Sequence, residues 1–231
     1  MTITLITGGN KGLGYESARR LIELGHTVYI GARDSGRGEK AAEELGARFV
    51  QLDVSDDASV TAAAAELTER EGHLDVLVNN AGLSDAMLAP EDVTAAAMQQ
   101  VYDVNVYGIV RTTHAFLPLL RASSSPVIVN VSSGLGSFGV VTNPDRFESS
   151  FATVIYGSSK AAVGMLTVQY SKALSDIKIN VVDPGYTATD INGNSGHQTV
   201  TEGTDAIVRL ATIGPAGPTG TFSDRHGEVP W

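Results

Sequence analysis

Residues 2–24 read TITLITGGNKGLGYESARRLIEL. An apolar, β-branched run ends at Thr7, a turn carries Gly8, Gly9, Gly12 and Gly14, and a helical pattern runs from Leu13 to Leu24. Strand, glycine turn and helix in that order make a βα unit. The rhythm then repeats. Thr27–Ala32 (TVYIGA) is a strand, Gly36–Leu45 a helix, Arg48–Leu52 a third strand, and Asp56–Arg70 an Ala-rich helix with Ser55 or Asp56 as its N-cap. Asp75–Val78 (DVLV), Pro126–Val131 (PVIVNV) and Ile177–Val182 (IKINVV) supply further strands. Short strands separated by helices force parallel pairing, and continuously apolar strands imply a sheet covered on both faces. The expected fold class is α/β: a single doubly wound parallel sheet with helices on both faces, in one domain over residues 1–231.

Composition narrows the function. Of 231 residues, 42% are hydrophobic and 18% charged, which suits a packed core and excludes global disorder. A net charge of −10 argues against nucleic acid as a partner, because phosphate backbones are met by clustered Lys and Arg. Cysteine is absent, which removes disulfide scaffolds, thiol nucleophiles and cysteine zinc sites. The five histidines are scattered without metal-ligand spacing, so no metal is expected. No apolar run approaches the ~18 residues of a membrane span. Met1 leads directly into the first strand without the segments of a signal peptide. A soluble, cytoplasmic protein is the expectation.

In open α/β sheets the ligand sits outside the carboxyl ends of the strands. Two connections, Gly134–Ile155 and the polar Ile191–Gly203, follow strands and belong on that edge. The glycine loop belongs there too. It is either an ordinary βα turn or a phosphate cradle, in which glycine lets backbone approach a pyrophosphate and the helix N-terminus offers free N–H donors. Its position between the first strand and the first helix favours the cradle. The spacing is GxxxGxG, on Gly8, Gly12 and Gly14. About 20 residues beyond such a loop, an acid reads the free ribose of NAD or an Arg accommodates the 2′-phosphate of NADP. Arg33 holds that place, with Arg37 one helical turn on and Lys11 inside the loop. Guanidinium forks suit phosphate, so NADP(H) is favoured over NAD. Asp34 is the residue that would serve a free ribose instead.

These features together resemble the short-chain dehydrogenase/reductase family over nearly the whole chain. The TGGNKGLG loop is similar to its TGxxxGxG pattern, and Asn79-Asn80-Ala81-Gly82 to its NNAG motif. Asn105 in NVYG, Ser133 in VNVSSG, Tyr156 to Lys160 in YGSSK, and Pro184-Gly185 to Thr189 in PGYTAT follow in the family's order. The loop, Arg37 and the tail from Gly217 to Trp231 look most like the NADPH-dependent carbonyl reductases. The resemblance implies a Rossmann-type dinucleotide-binding and catalytic domain. It places cofactor contacts on Gly8, Asn10, Lys11, Gly12, Leu13, Gly14, Arg33, Arg37, Asp53, Val54, Asn80, Ala81, Gly82, Tyr156, Lys160, Pro184, Gly185, Thr187 and Thr189. Asp53 would contact adenine, or else cap the helix from Asp56; Thr187 and Thr189 belong to the loop that binds the carboxamide.

Tyr156 and Lys160 are i and i+4, on one face of a helix. A free phenol, with a pKa near 10, exchanges protons poorly at neutral pH, and a neighbouring ammonium pulls that value down. The resemblance implies that Tyr156 is the general acid, that Lys160 also holds the nicotinamide ribose, that Ser133 stabilises the substrate oxygen, and that Asn105 holds a water of a proton relay. On spacing alone Ser132 and Ser133 both read as strand-end caps, and Asn105 equally as a structural asparagine. The interval from Ser133 to Tyr156 is longer than the family's commonest spacing and shorter than the insertion of the monomeric carbonyl reductases.

The function expected is reduction of a ketone or aldehyde to an alcohol with NADPH. Residues 134–155 and 191–203 would line the substrate side, with Leu83, Ser84 and Tyr186 at the mouth. Phe138, Phe147, Phe151 and Tyr186 favour a hydrophobic carbonyl compound. The alternatives are an NAD-dependent alcohol dehydrogenase and a non-catalytic dinucleotide-sensing regulatory protein. Partners are a small carbonyl or alcohol substrate and, from the resemblance, further copies of the chain in a homodimer or homotetramer.

Overall fold

Ile3–Thr7 forms β1 and is buried throughout, as its unbroken apolar and β-branched character requires. The computed structural model describes residues 1–84 and 88–231. After β1 come α1 (Gly12–Glu23), β2 (Thr27–Ala32), α2 (Ser35–Leu45), β3 (Arg48–Gln51), α3 (Asp57–Glu71) and β4 (Val76–Asn79). The second half runs through α4 (Ala95–Tyr102), α5 (Gly108–Arg121), β5 (Val127–Val131), α6 (Phe138–Val141), α7 (Val154–Ala173), β6 (Lys178–Val182), α8 (Val200–Gly203), α9 (Asp205–Ala211) and β7 (Phe222–Ser223). The described residues make one seven-stranded sheet in the order β3-β2-β1-β4-β5-β6-β7, all parallel. The order reverses between β1 and β4, where such sheets open a ligand crevice.

Strand alternation builds a core on each face. Ile6, Ile30, Val78, Val129 and Val182 point to one side and pack with Ala18, Leu21 and Ile207 of α1 and α9. Leu5, Tyr29, Leu77, Ile128 and Ile179 point to the other and meet Val60 and Leu67 of α3 and Phe116 and Leu120 of α5. A third cluster joins Val163 of α7 and Val181 to Phe222 and Val229 of the C-terminal tail.

One buried polar chain runs through this apolar packing. The Thr112 hydroxyl donates to Asn79 Oδ1 at 2.8 Å, Asn79 Nδ2 to Asn130 Oδ1 at 2.9 Å, and Asn130 Nδ2 to the Thr167 hydroxyl at 2.9 Å. The Thr167 hydroxyl donates in turn to the Val163 carbonyl at 2.9 Å. Four buried side chains from α5, β4, β5 and α7 thus satisfy one another, as burial demands.

Several expected boundaries shift by a residue, and some segments differ more. The cap of α3 is Asp56, whose side chain accepts from the Ala58 N–H; Asp53 instead folds back on Ser55, accepting from its N–H at 2.9 Å. The connection from Gly134 is not irregular throughout. It holds 3₁₀ turns at Gly134–Gly136 and Phe147–Ser150, with α6 between them, and residues 154 and 155 already belong to α7. The segment from Ile191 likewise contains α8, entered from a 3₁₀ turn at Asp190–Asn192. A single π-helical turn, Asp103–Tyr107, separates α4 from α5 and rotates Asn105 into the interior.

Candidate active site

The glycine loop ends β1 and opens α1. Gly12 lies at φ +56°, a conformation that side chains disfavour, and Gly14 packs so closely that a Cβ would stand 2.5 Å from Asn80 Nδ2. Asn80 is a staple here: its Nδ2 donates to the Thr7 carbonyl at 2.9 Å and the Gly8 carbonyl at 3.2 Å. Thr7 Oγ1 completes the joint by accepting from the N–H groups of Asn80 and Ala81. The loops after β1 and β4 are therefore locked together at the switch point. The start of α1 has no side-chain cap, whereas Asp34, Asp56 and Thr94 cap α2, α3 and α4. Its first N–H groups and positive dipole end are left for an anion.

At the end of β2, Arg33 is exposed and has no ion pair among the described residues. Asp34 is committed elsewhere. It accepts from the Arg37 N–H at 2.9 Å and pairs with the Arg37 guanidinium at 3.1 Å, and these bonds hold its carboxyl below the usual range. An acid already capping a helix and neutralising a cation is poorly placed to receive a ribose hydroxyl. Lys11 reaches across the cleft to Asp190 at 2.9 Å, and Thr189 lies against Gly12. The Pro184–Thr189 loop thereby closes toward the glycine loop. Within it the Thr187 hydroxyl donates to the Pro184 carbonyl at 2.9 Å, and the Thr189 N–H donates to Asn192 Oδ1. Val54 is buried against Gly108, and Leu13 packs toward Gly203.

The reactive groups gather at the carboxyl ends of β4, β5 and β6. Lys160 is only 5% exposed; its Nζ donates to the Val131 carbonyl at 2.9 Å and sits 5.6 Å from the centre of the Tyr156 ring. Burial pulls its ammonium down to about 8, while the charge of Asp183 opposes the fall. A Cβ at Gly82 would lie 3.6 Å from Lys160 Nζ and 3.5 Å from Asn105 Oδ1, so the loop after β4, α7 and the π turn converge. Asn105 is held by protein: Oδ1 accepts from the Leu83 N–H at 2.8 Å, and Nδ2 donates to the Leu83 carbonyl and to Ser159 Oγ. These bonds place Asn105 beside the lysine and tie it to the loop at Leu83.

The serines divide. Ser132 is buried and its hydroxyl donates to the Lys160 carbonyl at 2.9 Å, tying β5 to α7. Ser133 is half-buried, and its Oγ accepts weakly from the Leu135 N–H at 3.2 Å. The turn it starts lies flat on α7: a Cβ at Gly136 would meet the Lys160 backbone at 2.5 Å, and one at Gly157 the Leu135 carbonyl at 3.0 Å. Ser133 is thus brought onto the turn of α7 that carries Tyr156 and Lys160.

On the substrate side, Phe151, Phe147, Tyr186 and His197 form a row of rings, with centroid separations of 4.8, 6.0 and 5.9 Å. This row spans both expected substrate segments. Phe138 makes no ring contact with it and is widely exposed on α6. His197 is expected only as a loop histidine without a catalytic role, and the buried acid Asp183 is not among the expected site residues. Asp183 was legible as a lone acid closing an otherwise apolar strand, VVDPG.

The chain matches the short chain dehydrogenase family model over residues 2–199. Short-chain dehydrogenase anuI of Penicillium roqueforti is 36% identical, with 92% of this chain and 89% of that protein covered. The (+)-neomenthol dehydrogenase of Capsicum annuum is 30% identical, with 94% of each covered. Among solved structures, the NADPH-bound carbonyl reductase from chicken fatty liver superposes with a TM-score of 0.87 at 27% identity, covering all of both chains.

Proposed function

The chain belongs to the short-chain dehydrogenase/reductase family, and from that premise we propose how its own residues carry the reaction. It is an NADP(H)-dependent oxidoreductase of the carbonyl reductase type, reducing a ketone or aldehyde to an alcohol. The residues present fit that cofactor: an uncapped helix end for the pyrophosphate, Asp34 withdrawn into a cap, and Arg33 free for a 2′-phosphate.

Bound NADPH supplies the hydride. The chain supplies the rest. Tyr156 gives its proton to the carbonyl oxygen as charge grows there. Lys160 favours the resulting phenolate by its charge, and it would also hold the nicotinamide ribose of the bound cofactor. The Ser133 hydroxyl donates to the same substrate oxygen and stabilises its charge. Asn105 braces the loop at Leu83 against α7 and keeps the lysine's surroundings fixed. The observation that carries this reading is the buried Lys160 ammonium held 5.6 Å from the Tyr156 ring at the switch-point edge of the sheet.

Residues 1–231 act as one cofactor-binding and catalytic domain, with 134–155 and 191–203 as substrate-side segments. The aromatic row supports a hydrophobic carbonyl compound as the small-molecule substrate. No helix among the described residues is long and apolar enough to cross a membrane; a cytoplasmic location and a homodimer or homotetramer complete the proposal. Exposed Val110 on α5 and Met165 on α7 suit such an assembly.

The test follows NADPH consumption with aromatic ketones, quinones and diketones, beside Tyr156→Phe. The wild type is expected to turn over, and the variant to lose about 10²–10⁴-fold. Equal rates would refute the proton-donor role.

A further inference from the structure

Asp183 closes β6 beneath the candidate site and is 4% exposed. Its Oδ1 accepts from the Gly185 N–H at 2.8 Å, which fixes the Pro184–Gly185 turn. Its Oδ2 lies against Gly134, where a Cβ would stand only 2.8 Å away, and the Gly134 amide also favours its charged form. One carboxylate therefore touches both the loop that begins at Ser133 and the loop that runs to Thr189. Its own N–H donates to the Ser223 carbonyl at 2.9 Å, anchoring the group to β7.

The charged groups facing Asp183 are Lys160 from α7, Glu148 from the Phe147–Ser150 turn and Asp224 after β7. Glu148 approaches the same glycine, its Oε1 lying 3.3 Å from a Cβ placed at Gly134. Burial, Glu148 and Asp224 all disfavour the carboxylate, and the Asp183 carboxyl is pushed up. Lys160 faces Asp183 and Tyr156. Lys160 Nζ is held on the Val131 carbonyl at 2.9 Å, Val131 pairs with Val182 next to Asp183, and the charge of Asp183 favours the ammonium there.

We propose that Asp183 is a positioning residue of the reaction: it clamps the Ser133 loop to the Pro184–Gly185 turn and supplies the buried counter-charge of Lys160. The proposal rests on the assignment of Ser133, Tyr156 and Lys160 above. The first role sets where the serine and the cofactor-side turn stand relative to each other. The second keeps Lys160 charged through neutral pH despite its burial, so that it can act on the phenol.

The experiment is the pH profile of kcat/KM for carbonyl reduction in Asp183→Asn, which keeps shape and removes charge. Without the counter-charge, Lys160 gives up its proton at lower pH. The variant should approach wild-type rates at pH 6 and fall about tenfold behind by pH 9, the factor for a displacement of one in pKa. Loss by the same factor at every pH, or no loss, would overturn the counter-charge. Asp183→Ser is read the same way if the asparagine variant does not fold. Gly134→Ala pushes on Oδ2 while leaving the charge, so it should lower kcat at all pH without moving the limb; wild-type kcat there would overturn the clamp. Full activity in Tyr156→Phe would refute the underlying assignment, whereas an inactive Tyr156→Phe beside an unshifted Asp183→Asn profile would refute this proposal alone.

Discussion

Replacing Lys160 by Met removes the buried ammonium and keeps most of the side chain's volume. Lys160 Nζ lies 5.6 Å from the Tyr156 ring centre, and at a separation of that order a unit charge in an effective dielectric of ~20 is worth about 3 kcal/mol to the phenolate. Its loss raises the phenol's pKa by about 2. Alcohol oxidation, which needs the phenolate, should therefore fall about 100-fold at pH 7, with its rising limb displaced to higher pH by about 2. Stability responds differently. Burial draws Lys160 from 10.5 to about 8, a cost of about 3 kcal/mol at neutral pH that the substitution relieves. Orphaning the Val131 carbonyl costs about 1–3 kcal/mol in return. The variant should be about 100-fold slower at pH 7 yet melt close to wild type. The sign of the linkage gives a second signature. Between about pH 8 and 10.5 the unfolded chain binds a proton that the folded chain has released, so this group makes wild-type stability rise with pH there. Lys160→Met should lose that rise. Initial rates against pH and denaturant unfolding at pH 7, 9 and 10.5 measure both. A rate loss under tenfold with an unmoved limb would refute the electrostatic argument.

Arg33→Ala should raise KM for NADPH about 10–100-fold, as loss of a charge-assisted phosphate contact does, and leave kinetics with NADH unchanged; equal effects on both cofactors would show that Arg33 does not read the 2′-phosphate. Asn79→Leu strands Asn130 Oδ1 inside the core, while the Thr112 hydroxyl keeps the Gly108 carbonyl as its acceptor, and should cost about 1–3 kcal/mol in denaturant unfolding.

The βα alternation was readable because each inner strand is dominated by apolar and β-branched residues, and a sheet covered on both faces demands that pattern. Ends were less readable, since Asn79 continues β4 as a buried polar residue whose partners lie far away in sequence. The break between α4 and α5 is marked in the sequence only by Gly108, which does not specify a π turn; Asn105's bonds to Leu83 and Ser159 account for it. The strand β7 is two residues long and exists through pairing with β6, which no local pattern encodes. Spacing placed Tyr156 and Lys160 on one helix face. It said nothing of the lysine's burial, because the groups that seal it, Val131, Gly82 and Asp183, come from three separate strand ends. Lys11 shows the same limit: its bond to Asp190 depends on a loop more than 170 residues away.

The chain of hydrogen bonds from Thr112 through Asn79 and Asn130 to Thr167 works as a vernier. Amide and hydroxyl groups mate at only one setting, so the long helix cannot creep along the sheet without leaving the Asn130 amide bare. Substitutions in the row of rings can then accumulate while the long helix keeps its register on the sheet, so change at one end of the cleft need not disturb the other.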